Sequence, residues 1–162
     1  MHDVDVLVVG AGPAGLSLAR GLAGTGLSVA LIEQQPAAAL AEPAFDGREI
    51  ALTHASRQIM RTLGLWERID PAQISPLRSA KVMNGSSPFA LGFAAAGENV
   101  DELGWLVPNH LIRRAAWEAV QGQAGLELVD GAKVTAVETG ANANTVVLDD
   151  GRRLSARLLV AA

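Results

Sequence analysis

The chain has 162 residues, 49% hydrophobic and 19% charged, a composition typical of one globular domain with a sizeable core. Its net charge is −4 with scattered lysines and arginines, which excludes the basic stripe that nucleic-acid binding requires. The absence of cysteine excludes disulfides and thiolate metal sites, and the apolar runs are too short to span a membrane. Because Asp3 and Asp5 stand where a signal peptide would be basic, we expect a cytoplasmic protein.

The first patterned stretch is an apolar run, Val4–Val9, that ends at Gly10 and is followed by apolar residues at helical spacing. Gly10, Gly12 and Gly15 therefore lie on a strand-to-helix turn, the context in which Gly-x-Gly-x-x-Gly binds a dinucleotide. In that role the first glycine permits a tight turn and the second lets the backbone approach a pyrophosphate. The third lets the helix pack closely on the strand.

Pro13 and Ala14 complete this motif at the start of the predicted helix. Pro13 suits a first helical turn, where a missing N–H costs nothing, and the free N–H groups of the helix then face the phosphates. A second predicted strand, residues 28–32, leads to Glu33. Glu33 follows Gly15 by about 18 residues, close to the roughly 20 expected for the acid that binds a ribose hydroxyl. The alternative interpretation of the glycine motif is an ordinary glycine-rich turn between a strand and a helix.

Residues 34–45 are rich in Pro and Ala and lack a regular period, which predicts a surface loop. The next predicted helix covers residues 54–63, between Thr53 as its cap and Gly64 as its terminator. One face of this helix is apolar and consists of Ile59, Met60 and Leu63.

The second half of the chain alternates between short strands and one long helix. Residues 78–107 contain short β-like runs and predict an antiparallel insertion. A helix over residues 109–121 and a third parallel strand at 126–129 follow. Three short runs within 133–155 are separated by hairpin-type turns, and an apolar strand at 158–162 closes the chain. Since that strand ends without a turn, we expect a truncated domain that lacks at least one strand of its sheet.

Three motifs beyond the composition point to a family: the glycine motif of residues 10–15 with Glu33, the run 46–52 leading into a helix that ends Leu-Gly-Leu-Trp at 63–66, and Val-Pro-Asn at 107–109. Together they resemble the flavin-dependent aromatic hydroxylases, and within them the ubiquinone-biosynthesis hydroxylases. The resemblance implies an α/β fold: a Rossmann-like FAD-binding sheet with parallel strands in the order 3-2-1-4. It also implies a β-meander crossover and part of an antiparallel substrate-side sheet.

The resemblance implies site residues as well. The three glycines and Glu33 would hold the ADP part of FAD. Arg48 would lie near the flavin, and its alternative is a surface arginine paired with Asp46 or Glu49. Asn109 falls where relatives have a glutamine that reaches the flavin or ribityl chain, although asparagine is also a preferred helix N-cap. Val134 matches a position whose backbone meets adenine, but any strand valine would look the same.

The implied function of the parent protein is hydroxylation of a small aromatic or quinol substrate, with FAD as cofactor and NAD(P)H as co-substrate. We interpret residues 1–162 as a FAD/NAD(P)-binding domain in which residues 78–107 belong to the substrate-side sheet. Later flavin-binding motifs of the relatives are absent, so we expect this chain alone to bind FAD poorly and to be inactive. The sequence identifies no catalytic residue. Peripheral membrane or multi-enzyme association stays open.

Two alternatives to hydroxylation remain. One is another FAD-dependent oxidoreductase of the same fold, such as a reductase or an oxidase, and the other is an NAD-binding module without oxygen chemistry. Metal chemistry is not expected, because His2, His54 and His110 are isolated and lack metal-ligand spacing.

Overall fold

The computed structural model describes residues 3–85, 89–94 and 101–162. Its helices and strands, in chain order, are β1 (Val4–Val9), α1 (Pro13–Gly21), β2 (Val29–Ile32), α2 (Ala37–Ala41), β3 (Glu49–Leu52), α3 (His54–Thr62), β4 (Ser75–Leu77), β5 (Ser79–Met83), β6 (Ala90–Ala94), β7 (Gly104–Pro108), α4 (Asn109–Val120), β8 (Leu126–Val129), β9 (Val134–Thr139), β10 (Asn144–Leu148) and β11 (Arg153–Ala161). Two short 3₁₀ helices, Trp66–Arg68 and Pro71–Gln73, lie between α3 and β4. The described chain divides into two compact units, residues 1–44 with 113–162 and residues 45–112.

The first unit contains a six-stranded sheet in the order β8-β2-β1-β11-β10-β9. The strands β8, β2, β1 and β11 are parallel, whereas β10 and β9 pair antiparallel beyond them. All four residues of β2 are buried, as expected for a central parallel strand covered on both faces. The predicted order 3-2-1-4 and the meander are therefore confirmed.

The prediction of two separate strands at the end of the chain is wrong. The run 152–155 and the closing strand 158–162 were expected to be separate, but residues 153–161 form one continuous strand. The physical reason is that β11 has a neighbour along its whole length. Its first half pairs with β10, its second half pairs with β1, and Ala156 is in register with both.

The predicted surface loop 34–45 contains the short helix α2, whose Leu40 is buried. An acidic side chain distant in sequence binds the start of this helix, because Asp130 Oδ2 accepts the Ala37 N–H at 2.6 Å. A run rich in alanine has high helix propensity, but five residues are too few for a clear period. The sequence pattern alone therefore did not reveal it.

The second unit contains a three-stranded sheet, β3-β7-β4, and the two-stranded ribbon β5-β6. All pairings in these two sheets are antiparallel. Within the predicted range 78–107, β5 pairs with β6 as expected, whereas β7 pairs with β3 and β4, which lie outside that range. The strands β3 and β4 were not predicted. Neither has a clear apolar pattern, since β3 has no buried residue and β4 is only three residues long with a central Pro76.

Helix α3 begins and ends close to its predicted limits. Thr53 Oγ1 accepts the Ser56 N–H at 3.1 Å, and Gly64 follows the helix with φ +72. The apolar face is only partly covered, because Met60 is buried but Ile59 is 59% exposed. In the part of the chain that the structure describes, no helix is both long and apolar enough to cross a bilayer.

Candidate functional site

The loop between β1 and α1 is shaped by two glycines that tolerate no side chain. Gly10 adopts φ +105, and a Cβ there would collide with the carbonyl oxygen of Ala162. A Cβ on Gly15 would collide with the carbonyl oxygen of Gly10. The first glycine therefore makes the turn beside the end of β11, and the third brings the first turn of α1 against the loop.

Gly12 differs from its two neighbours in the motif. It is the N-cap of α1 in an extended conformation, and a Cβ built there would meet nothing within 4 Å. No side chain caps the helix at this residue, Pro13 has no N–H, and Ala14 follows in the first turn. The first N–H groups of a helix have no partner within the helix itself. The start of α1 is therefore an open, electropositive helix end of the kind that binds phosphate.

Glu33 directs its carboxylate towards this loop. The residue directly follows β2, and its own N–H donates to the Val129 carbonyl at 2.9 Å. Glu33 Oε2 accepts the Ala11 N–H at 2.8 Å, and Oε1 accepts the Gln35 N–H at 2.9 Å. Each carboxylate oxygen can accept a second hydrogen bond, so the acid keeps acceptors for a sugar diol.

A cavity of about 260 Å³ opens beside the carboxylate. Gly10, Glu33 and Val134 line it together with Lys133 and Ala162. Because ligand pockets usually measure roughly 300–1,000 Å³, this cavity can receive only part of a dinucleotide. Lys133 was not selected from the sequence, since a single lysine at the start of a strand carries no pattern of its own.

Arg48 and Asn109 come together in the second unit through a residue that the sequence analysis did not select as a site residue, Asp46. Asn109 is the first residue of α4, is buried, and its Nδ2 donates to Asp46 Oδ2 at 2.7 Å. Arg48 Nη2 and Nε donate to the same oxygen at 2.7 and 2.9 Å. The Arg48 N–H also donates to Asp46 Oδ1, at 3.1 Å. The pairing of Arg48 with Asp46 is the alternative that the sequence left open.

The hydrogen bond from Asn109, and then those from Arg48, hold the pKa of Asp46 well below its usual range. Asp46 is therefore ionised at neutral pH. The arginine side chain remains 67% exposed. Arg48 is thus a cation oriented by a carboxylate, with part of its guanidinium still open to solvent.

The structure divides the predicted site residues between the two units. Gly10, Glu33 and Val134 line one cavity, and the remaining loop residues form the adjoining helix start. Arg48 and Asn109 form a separate cluster with Asp46. Among the described residues, no group of three or more His, Asp or Glu side chains could hold a metal ion.

A parallel sheet, an open glycine loop at a helix start and an acid at the end of the second strand define a dinucleotide-binding α/β domain. The profile of the FAD binding domain matches residues 3–162 of this chain. The chain therefore belongs to the FAD binding domain family.

Two curated relatives are similar to this chain over almost its whole length. The ubiquinone hydroxylase UbiM of Neisseria meningitidis is 52% identical over 162 residues, which cover 98% of this chain and 35% of the relative. The ubiquinone hydroxylase UbiL of Rhodospirillum rubrum is 34% identical over 158 residues, with 98% of this chain and 36% of the relative covered. The chain thus spans about a third of the length of these relatives.

Solved structures share the fold at lower identity. The p-nitrophenol 4-monooxygenase PnpA of Pseudomonas putida superposes with a TM-score of 0.76 and 19% identity, over 100% of this chain and 41% of that chain. PqsL of Pseudomonas aeruginosa, a probable FAD-dependent monooxygenase, gives a TM-score of 0.68 and 24% identity over 96% and 41%. At these identities the likeness shows the fold.

Proposed function

We propose that this chain is the FAD-binding part of a flavin-dependent monooxygenase that hydroxylates an aromatic ring in ubiquinone biosynthesis. The observation that carries the proposal is the arrangement of Glu33 and Gly12, an acid directed at the glycine loop beside a helix start with open space. The two ubiquinone hydroxylases among the relatives support the choice of substrate class. A small aromatic or quinol substrate and a cytoplasmic location belong to this proposal.

The residues of the first unit fit the ADP part of FAD. The N–H groups at the start of α1 would bind the pyrophosphate, with Gly12 leaving room for its approach. The carboxylate of Glu33 would accept the hydroxyls of the adenosine ribose. The backbone at Val134, on the wall of the same cavity, would meet the adenine.

Arg48 and Asn109 are proposed to act towards the flavin end. Asp46 accepts from Nε and from one N–H of Nη2 of Arg48, so both N–H groups of Nη1 and the second one of Nη2 are left to interact with a ligand. Asp46, itself held by Asn109, fixes the arginine from one side, so its position costs less conformational entropy when a ligand binds. The role of this cluster is therefore to orient a cation, rather than to transfer a proton.

The proposed reaction replaces a ring C–H by C–OH. One oxygen atom of O₂ enters the ring and the other leaves as water, while NAD(P)H and a proton supply the two electrons and the hydrogen atoms. Bound FAD supplies the redox and oxygen chemistry, and the protein supplies binding, orientation and electrostatics. The reductant NAD(P)H is part of the proposal.

The ribbon β5-β6 is proposed to belong to a substrate-side sheet that lies largely outside this chain. Val82 pairs with Leu91, and Phe93 lies on the same face of the ribbon. These side chains are 58%, 62% and 48% exposed, respectively. A two-stranded ribbon is marginally stable alone and needs a partner for its apolar face. Further strands of the substrate-side sheet would bury this face.

The experiment is to purify the natural full-length protein that contains this chain and to identify its bound cofactor. We expect released FAD, NAD(P)H oxidation that accelerates with a phenolic substrate, and ¹⁸O from ¹⁸O₂ in the product. A colourless protein that retains NAD would support the NAD-binding module instead. Substrate-independent NAD(P)H oxidation without ¹⁸O in a product would support a reductase or an oxidase. The isolated 162-residue chain should bind FAD weakly and catalyse no hydroxylation.

A further inference from the structure

A second, larger cavity is lined only by residues of the second unit and shares no lining residue with the cavity beside Glu33. Its volume is about 570 Å³, within the range of roughly 300–1,000 Å³ that is usual for small-molecule pockets. Apolar side chains form much of its wall, among them Ile69, Ile74 and Pro76. Two arginines of α3, Arg57 and Arg61, also line it.

Arg57 is held in the cavity wall by aromatic rings. Its guanidinium carbon lies 4.3 Å from the ring centroid of Trp105 and 5.2 Å from that of Trp66. The two indole rings contact each other edge to face, with centroids 5.8 Å apart. Stacking fixes the plane of the guanidinium but satisfies none of its N–H donors.

The Nε atom of Arg57 is buried and has no hydrogen-bond partner among the described residues. A buried donor without an acceptor costs free energy, and a donor on a charged group costs more than a neutral one. Nε is closed to solvent, so an acceptor in the cavity would meet the terminal nitrogens of Arg57, a residue that lines the cavity.

The charge balance in the cavity points to an anion. Arg61 is one helical turn after Arg57 and on the same face of α3, so the two cations are neighbours. The lining contains one carboxylate, Glu67, whose Oε1 is 3.6 Å from Arg61 Nε. Both side chains of that pair are about half exposed, and such ion pairs are weak. One positive charge, that of Arg57, is left without an anion in the lining.

We propose that this cavity binds a small molecule that carries a carboxylate on an apolar body. The carboxylate accepts hydrogen bonds from Arg57, with Arg61 as the second cation, because a guanidinium presents its donors in the fork that a carboxylate matches. The apolar body packs on the aliphatic wall formed by Ile69, Ile74 and Pro76. The lining residues of this cavity differ from those proposed to bind FAD, and the inference does not depend on the proposed function.

The test is a calorimetric titration of the natural full-length protein with three probes. Octanoate has both the carboxylate and the apolar body, octanamide lacks the charge, and acetate lacks the body. We expect saturable binding of octanoate with one site, and at least about tenfold weaker binding of each other probe. Octanamide that binds as tightly as octanoate, or no saturable binding of octanoate, would overturn the proposal.

Two substitutions assign the binding to this cavity. Arg57→Gln should weaken octanoate binding by about tenfold or more. Glu67→Gln removes the competing carboxylate and should strengthen binding by roughly threefold, a gain that an unfolded variant cannot show. Arg114→Gln, at an exposed arginine of α4, is the matched control and should change nothing. Unchanged octanoate affinity in both cavity variants would place the binding elsewhere and refute the proposed site.

Discussion

Two helices of nine residues, α1 and α3, begin in different ways. Helix α3 is capped by its own side chain, because Thr53 Oγ1 accepts the Ser56 N–H. Helix α1 begins at Gly12, which has no side chain to cap it and faces open space. A helix start that is satisfied by the protein contributes to stability, whereas one left open is available to a ligand. The proposed nucleotide site is therefore made of backbone N–H groups that no side chain of the protein caps.

The largest expected effect tests the glycines that shape this backbone. Gly15→Val should destabilise the first unit by about 3 kcal/mol or more, because its Cβ would collide with the Gly10 carbonyl oxygen. Urea denaturation followed by circular dichroism measures this loss. The matched control is Gly12→Val in the same loop, which should cost about 1 kcal/mol or less, since open space receives the new side chain. Equal losses at the two positions would contradict the assigned roles.

The second prediction separates binding from folding at Gly12. In the natural full-length protein, Gly12→Val should retain the helical content but lower FAD affinity by about a hundredfold or more, since a poorly placed phosphate group loses several charge-assisted hydrogen bonds. Flavin fluorescence after ultrafiltration measures the retained cofactor. Leu27→Ala, at an exposed loop position, serves as the control and should leave affinity unchanged. Normal FAD affinity in Gly12→Val would refute the placement of the pyrophosphate.

The third prediction concerns the cluster of Asp46, Arg48 and Asn109 in the second unit, where hydrogen bonds lower the pKa of Asp46. Asn109→Ala and Arg48→Ala should each raise the pKa of Asp46 towards its usual value, because each removes a hydrogen bond that favours the ionised carboxylate. Titration of the carboxyl carbon by NMR measures both shifts. Arg152→Ala removes a similar exposed partner, from Asp150, and should leave the pKa of Asp46 unchanged. An unchanged pKa of Asp46 in Asn109→Ala would contradict the assigned cause.

The fourth prediction follows from the lowered pKa of Asp46. Because the folded pKa lies below the unfolded value of about 3.9, the ionised carboxylate stabilises the fold above that value. This contribution is lost as the pH falls from about 4 towards the folded pKa. Asp46→Asn should therefore be less stable than wild type at pH 7, and the difference should shrink below about pH 4. A difference independent of pH would show that the charge of Asp46 contributes nothing.

The difference between the glycine loop and the Asp46 cluster explains what could be predicted from the sequence. The glycine spacing dictates local backbone geometry, so the turn at Gly10 follows from residues close in the chain. The contact of Glu33 with Ala11 spans 22 residues, but the strand-helix-strand pattern between them is regular enough to predict it. The bond between Asn109 and Asp46 joins side chains 63 residues apart, and no local pattern encodes it. The continuous strand β11 was missed for a related reason, since its pairing with β10 and then with β1 joins residues that are distant in the sequence.

The smallest expected effect tests the capped helix. Thr53→Ala removes the acceptor of the Ser56 N–H and should destabilise the second unit by about 1 kcal/mol in thermal denaturation. Thr53→Ser keeps the hydroxyl and should stay within a few tenths of a kcal/mol of wild type. FAD affinity should be the same in all three proteins, because this helix end is satisfied without a ligand. If Thr53→Ala changed FAD affinity but not stability, α3 would be an open helix start like α1, and the distinction between the two helices would fail.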